Sequence, residues 1–184
     1  MSEDAPLNLA SVKIDYDASH PTSFIPLLRK YMALVKPNMV LEYGPGISTK
    51  TMLEFPFATL LTIEHHYLFY AKAEAEFAGN PNVTVLYLPD KERYCNFAKD
   101  VGTKFDLIFV DGYCDWRVDC MLNSVDILSE KGVLILHDSG RPKYNAGRLP
   151  FELIEEKDGT AVFKLKNKTG YVDDDSTRIE LTSI

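Results

Sequence analysis

The 184-residue chain is 46% hydrophobic and carries a net charge of −7 with a pI near 5.1, a balance that suits one domain with a core large enough to fold unaided. The acidic surplus argues against a nonspecific grip on nucleic acid or on an anionic membrane, since both depend on clustered Lys and Arg. No apolar run approaches the roughly 18 to 20 residues that cross a bilayer, the start Met1-Ser2-Glu3-Asp4 lacks the basic character of a signal peptide, and Cys95, Cys114 and Cys120 form no metal-ligand spacing, so a cytoplasmic protein with reduced thiols is expected.

Residues 1–20 lack a clear period and are expected to form an N-terminal arm. From residue 23, Phe24, Leu27, Leu28, Tyr31 and Val35 recur at the i, i+3, i+4, i+7 spacing of an amphipathic helix, which Pro37 ends. Pro26 is tolerated because it falls in the first turn. Five short apolar runs follow at 39–43, 59–63, 83–88, 106–110 and 133–136. They do not alternate with polar residues, which predicts strands covered on both faces, as in a parallel sheet between helices. A helix is expected over 67–78, closed by Gly79-Asn80-Pro81. Another is expected over 115–128, where Val118, Met121, Leu122, Val125 and Leu128 form one stripe ahead of Gly132. Segments 151–155 and 160–166, joined through Asp158-Gly159, predict an antiparallel hairpin. Residues 167–184, with Asp173-Asp174-Asp175, predict a polar tail. The expected fold class is α/β: a doubly wound, mostly parallel seven-stranded sheet with helices on both faces and a terminal antiparallel hairpin. The domain spans 21–166, and a ligand belongs at the carboxyl ends of the strands.

The first strand runs into Glu42-Tyr43-Gly44-Pro45-Gly46-Ile47-Ser48-Thr49. Gly44 and Gly46 let the chain bend and bring backbone N–H groups close to a ligand, and a helix from Ile47 points its positive end inward. A dinucleotide fingerprint wants a third glycine where Thr49 stands, which weakens an NAD reading. Glu64 ends the second run 22 residues after Glu42, near the spacing of roughly 20 for an acid that accepts hydrogen bonds from ribose hydroxyls.

Glu42-x-Gly44-x-Gly46, then Ile63-Glu64-His65, then Phe105-Asp106-Leu107-Ile108-Phe109-Val110-Asp111-Gly112, then Gly132-Val133-Leu134-Ile135-Leu136-His137-Asp138 together resemble class I S-adenosylmethionine-dependent methyltransferases. The group most similar is the small-molecule O-methyltransferases of the catechol and antibiotic- or sugar-tailoring type, over about residues 38–165. The resemblance implies that Glu42 and the Gly44 to Gly46 backbone meet the methionine portion of the cofactor and that Glu64 holds the ribose. It also implies that Ser48 and Thr49 offer hydroxyls to the cofactor carboxylate, that His65 and Asp90 lie near the adenine, and that Asp111 borders both cofactor and acceptor. Ser48 stands where many members have a third glycine.

Methyl transfer from a sulfonium is an in-line displacement, so the protein must align the acceptor and manage its proton. A hydroxyl holds that proton tightly near neutrality and needs a base or a metal. Asp111 and Asp138, at the ends of neighbouring strands, are candidate ligands for Mg²⁺. Catechol-type relatives carry a further Asp or Asn where this chain has Ser139, a poorer ligand. His137 is the candidate base, although strand alternation sends His137 and Asp138 to opposite faces unless the strand has ended. Trp116, Arg117, Arg141, Lys143 and Arg148 either meet an anionic acceptor or form a solvated rim, and the arm with Tyr16, Asp17 and His20 is a candidate cover.

The expected function is transfer of a methyl group from S-adenosylmethionine to a hydroxyl of a small molecule, such as a sugar or tailored metabolite. Alternatives are an NAD-dependent dehydrogenase and a noncatalytic binding module of the same fold. No Asn-Pro-Pro-Tyr or Asp-Pro-Pro-Tyr follows the fourth strand, so a nucleic-acid substrate is not expected.

Overall fold

The computed structural model describes residues 22–56 and 59–166; the expected arm, with Tyr16, Asp17 and His20, and the expected tail lie outside them. Seven strands form one sheet in the order β3-β2-β1-β4-β5-β7-β6. They are β1 Met39–Tyr43, β2 Thr59–Glu64, β3 Val83–Tyr87, β4 Phe105–Val110, β5 Leu128–His137, β6 Phe151–Lys157 and β7 Thr160–Leu165. β1 to β5 pair in parallel, and β7 runs antiparallel between β5 and β6. The connections carry α1 Ile25–Val35, α2 Ile47–Met52, α3 Tyr67–Phe77, α4 Lys91–Asp100, α5 Arg117–Ser124 and α6 Asn145–Arg148. The doubly wound sheet and terminal hairpin expected from the sequence are both present.

Successive strand residues point to opposite faces, and the two cores follow that alternation. Val40, Leu107, Phe109, Val133 and Ile135 pack with Phe24 and with Leu27, Leu28, Tyr31 and Met32 of α1. One step out of phase, Leu41, Tyr43, Ile108, Val110, Leu134 and Leu136 pack with Tyr94 and Cys95 of α4 and with Cys120 and Met121 of α5. Each such burial is worth about 1.5–3 kcal/mol over leaving the side chain exposed. The same phase carries His137, the last residue of β5, and Asp111, one residue past β4, onto the α1 face. The β4–β5 register, Val110 opposite Leu136, then sets these two side by side.

Three expectations need correction. No helix is expected between β3 and β4, yet α4 is there, started by Asp90, whose side chain accepts from the Arg93 N–H at 3.0 Å. Helix α5 ends at Ser124 rather than 128, because the chain already turns into β5 at Leu128. Strand β3 is an edge strand with Thr84 and Tyr87 exposed, so it is not covered on both faces.

The hairpin turn has Asp158 at φ 49° and Gly159 at φ 75°, the two positive values of a two-residue type I′ loop. Ser23 Oγ donates to Asp158 O at 3.0 Å and Ser139 N–H donates to Gly159 O at 2.7 Å, which fastens the turn to the start of α1 and to the end of β5. Cys95 and Cys120 bury their thiols between α4 and α5 with the sulfurs 3.7 Å apart. The hydrogen bond from Cys120 holds Cys95 below the usual thiol range, and burial pushes Cys120 up. Among the described residues no helix is long and apolar enough to cross a membrane.

Candidate active site

A cleft of about 300 Å³ opens at the carboxyl ends of β1, β2 and β4, lined by the β1–α2 turn, Glu64, His65, Phe69, the segment from Asp111 to Cys114, and Phe24. Two glycines shape its floor. Gly44 has φ 93°, and a Cβ there would stand 3.0 Å from the Gly112 Cα. A Cβ on Gly112 would in turn lie 2.1 Å from the hydroxyl of fully buried Tyr94. The ends of β1 and β4 therefore approach as closely as backbone permits, which only glycine allows. Gly46, at φ 175°, is simply extended.

Beneath the turn lies Glu42, completely buried. Ser48 Oγ donates to its Oε1 at 2.5 Å and Thr49 Oγ1 donates to its Oε2 at 2.6 Å. Thr49 Oγ1 also accepts the Gly46 N–H at 2.8 Å, so the turn is tied to the strand below it through one hydroxyl. Ser48, Gly44 and Gly46 face the cleft, whereas Glu42 and Thr49 stand behind it. The hydroxyls of Ser48 and Thr49 are thus engaged by Glu42, which makes the acid a support for the turn. Burial raises the Glu42 pKa to about 7, against the opposing pull of the hydrogen bonds from Ser48 and Thr49 and of the nearby Thr62 hydroxyl, and the Asp111 charge adds to the rise.

Glu64 is buried at the cleft edge. Its Oε1 accepts the N–H groups of His65 and His66, both at 2.7 Å, and lies 2.8 Å from His65 Nδ1. All these contacts fall on one oxygen and orient the carboxylate. His65 belongs to an aromatic wall with Trp116, Tyr113 and Tyr94, at centroid separations of 5.1, 5.3 and 5.9 Å. Asp90, the other expected adenine neighbour, is not brought to the cleft; it is exposed and caps α4.

At the β4 and β5 ends, His137 Nδ1 lies 2.9 Å from Asp111 Oδ1. Asp111 lines the cleft, and His137 stands beside it under Phe24, the two rings 5.0 Å apart and edge-on. Asp138 has φ 56°, so the strand ends at His137 and the expected alternation stops there. Asp138 turns to Arg141, at 2.6 Å, and toward Arg117, at 3.6 Å.

The Mg²⁺ expectation for Asp111 and Asp138 is not supported, because guanidinium groups already neutralise both acids: Arg117 lies 2.8 Å from Asp111 Oδ1. Ser139, where a further ligand would stand, donates to Glu156 at 2.6 Å. That bond, with Arg148, holds the Glu156 carboxyl below its usual range. Among the described residues no cluster of His, Cys, Asp and Glu suits a metal ion.

The expected rim also divides. Lys143 pairs with Asp115 at 2.7 Å and Arg148 with Glu156 at 3.0 Å, both near the surface. Arg117, in contrast, is only 6% exposed and is not a rim residue. Phe24 enters the site from a helical stripe that reads only as core in sequence, and no local signal distinguishes it.

No family model and no curated protein matches the chain. Solved structures do. A methyltransferase-like protein from Silicibacter pomeroyi DSS-3 is 20% identical with a TM-score of 0.68, over 80% of this chain and 87% of that one. The O-methyltransferase TomG from Streptomyces achromogenes, solved in complex with SAM, is 17% identical with a TM-score of 0.61, over 77% and 79%. N-methyltransferase NodS from Bradyrhizobium japonicum WM9 is 16% identical with a TM-score of 0.58, over 76% and 92%. With its strand order and reversed seventh strand, the chain has the class I methyltransferase fold.

Proposed function

We propose that the chain is an S-adenosylmethionine-dependent methyltransferase acting on a hydroxyl of a small molecule, with a sugar or a tailored metabolite as the acceptor class. Solved structures of this fold include an O- and an N-methyltransferase, so the fold does not choose the acceptor atom. What favours a hydroxyl is the Asp111–His137 pair, 2.9 Å apart at adjoining strand ends beside the cleft. A hydroxyl must lose a tightly held proton, and this pair is built to take one.

The residues present suit the cofactor. Glu64, oriented through Oε1, offers Oε2 to the ribose hydroxyls. The glycine floor admits a close backbone approach, and His65 with Tyr113 offers ring faces and edges to an adenine. Asp111 stands where it can meet an ammonium group or the acceptor. When bound, the sulfonium supplies a methyl group together with its leaving group.

The remaining work falls to the chain. Asp111 Oδ1, held by the Arg117 guanidinium, is the acceptor of this contact, so the His137 Nδ1 carries the proton and Nε2 presents its lone pair. Nε2 has no hydrogen-bond partner among the described residues; the nearest carboxylate oxygen, on Asp138, is 4.0 Å away. His137 then accepts the acceptor proton at Nε2, and Asp111 stabilises the imidazolium through Nδ1. No step runs through a metal. The reading includes a cytoplasmic location and excludes nucleic acid and membrane as partners, in keeping with the charge of −7.

Calorimetry with S-adenosylhomocysteine beside NAD, followed by methyl-labelled cofactor with sugars, phenols and amines, with and without Mg²⁺, tests this reading. Binding of S-adenosylhomocysteine and label on a hydroxyl acceptor, with no gain from Mg²⁺, is the expected result. Binding of NAD alone would replace the reading with a dehydrogenase, and label confined to amines would move the acceptor atom. Glu64→Gln should weaken S-adenosylhomocysteine about tenfold, the loss of one charge-assisted pairing. The amide oxygen would stay on the His65 and His66 N–H groups, so an NH₂ would face the ribose where an acceptor is needed. An unchanged Kd would remove the ribose from this end of β2.

A further inference from the structure

Three backbone carbonyls from two strand ends converge on one side chain, the guanidinium that pairs with Asp111. Arg117 opens α5, on the face of the sheet opposite α1, and is buried. Its Nε donates to Gly112 O at 2.9 Å, Nη1 to His137 O at 2.8 Å and Nη2 to Asp111 O at 3.1 Å. Nη2 also lies 2.8 Å from Asp111 Oδ1, the oxygen that meets His137 Nδ1. Nη1 faces Asp138 Oδ2 at 3.6 Å. Below the guanidinium is the ring of fully buried Tyr144, with 5.8 Å between carbon and centroid.

Neutralising Asp111 and Asp138 would need only a positive charge nearby. The contacts here go further: one planar fork joins the carbonyl of β5 to two carbonyls beyond β4 and fixes one carboxylate oxygen. An ammonium on a flexible stem cannot span such a set, whereas five donors in a rigid plane can.

We propose that Arg117 is a positioning residue for the transfer step: it clamps the ends of β4 and β5 and pins the Asp111 carboxylate, so that His137 keeps its Nδ1 proton on Asp111 and its Nε2 open to the acceptor. This rests on the reading of His137 as the base. Without the fork, three carbonyls, that of His137 buried and those of Asp111 and Gly112 partly so, lose this donor, the two strand ends are free to separate, and the Asp111 carboxylate turns without a fixed partner on one side.

The test reads the imidazole itself. The chain has four histidines, and the ¹⁵N-labelled ring of His137 is identified by the signal missing from His137→Gln. Wild type is expected to show the Nδ1–H tautomer near neutral pH. In Arg117→Met that signature should give way to a mixture of tautomers, with kcat lower by about tenfold and the KM for the cofactor little changed, the pattern of a misplaced reacting group. Arg117→Lys, which keeps the charge and loses the fork, should also lose the pure tautomer. A folded Arg117→Met with the wild-type signature and kcat would overturn the proposal. If circular dichroism shows that the Met variant is unfolded, the Lys variant decides by the same signal, and a wild-type signature there reduces Arg117 to a counter-charge. A wild-type chain that binds no S-adenosylhomocysteine would sink the methyltransferase reading, while the tautomer comparison would still decide the clamp.

Discussion

Replacing His137 by Gln is expected to lower kcat for a hydroxyl acceptor by about 100-fold or more, with S-adenosylhomocysteine affinity within about twofold of wild type. Gln retains an N–H that can donate to Asp111 Oδ1 and fills much of the space beneath Phe24, so the β4 and β5 ends need not move. It has no lone pair basic enough to take a proton near neutrality. The cofactor contacts proposed for Glu64 and the glycine turn lie on β1 and β2, away from this substitution, which is why affinity should hold while turnover falls. Single-turnover transfer with labelled cofactor, beside calorimetry, measures both. Wild-type turnover in a variant that binds normally would show that the proton leaves by another route and that His137 serves structure alone. An amine acceptor offers an internal contrast, since it sheds its proton easily and should lose far less.

The elements that set this site differ in how far sequence could place them. The glycine turn and Glu64 could be read directly, because each is a local signal: residues that permit a bend, then an acid one strand later, in a chain whose alternation of strands and helices already implies neighbouring carboxyl ends. The hairpin was equally plain, since Asp-Gly between two apolar runs specifies its own turn. Helix α4 is hard to see in sequence because three charged residues, Lys91, Glu92 and Arg93, open it and its apolar positions, Tyr94, Cys95 and Phe97, span barely one turn. Burial of Tyr94 and Cys95 against α5 holds it in place.

Arg117 escaped for a different reason. In sequence it is one cation among several near a helix start, and only the register of β4 on β5 brings the carbonyls of Asp111, Gly112 and His137 around it. The same register decides between the two expected partners of Asp111. Asp138 follows β5 in the chain and looks equivalent, but alternation gives the α1 face to His137, and the positive φ at Asp138 carries that acid off toward Arg141. Spacing along a chain identifies which strands end together; it does not say which side chain of each end points inward.

Burial of Glu42 makes the stability of the fold depend on pH, with or without a substrate. In an unfolded chain its carboxyl titrates near 4.5, and in the fold burial holds the value up to about 7. Between those values the native state keeps a proton that the unfolded chain has released, so this group stabilises the fold below pH 4.5 and that contribution is lost as pH rises through 7. The loss amounts to roughly 3 kcal/mol and is complete above the folded value. Glu42→Gln should remove it. The amide is uncharged at every pH, and the Ser48 and Thr49 hydroxyls can rotate to give or accept a hydrogen bond as the amide requires. Urea unfolding of both proteins from pH 4.5 to 8 is therefore expected to show curves that diverge as pH rises, with wild type falling by about 3 kcal/mol relative to Glu42→Gln. Other titrating groups are common to both chains and cancel in that difference. Parallel curves would mean that Glu42 is ionised in the fold well below neutrality, with the three hydroxyls around it outweighing its burial. The turn would then rest on a fixed negative charge rather than on an acid that keeps its proton up to about pH 7.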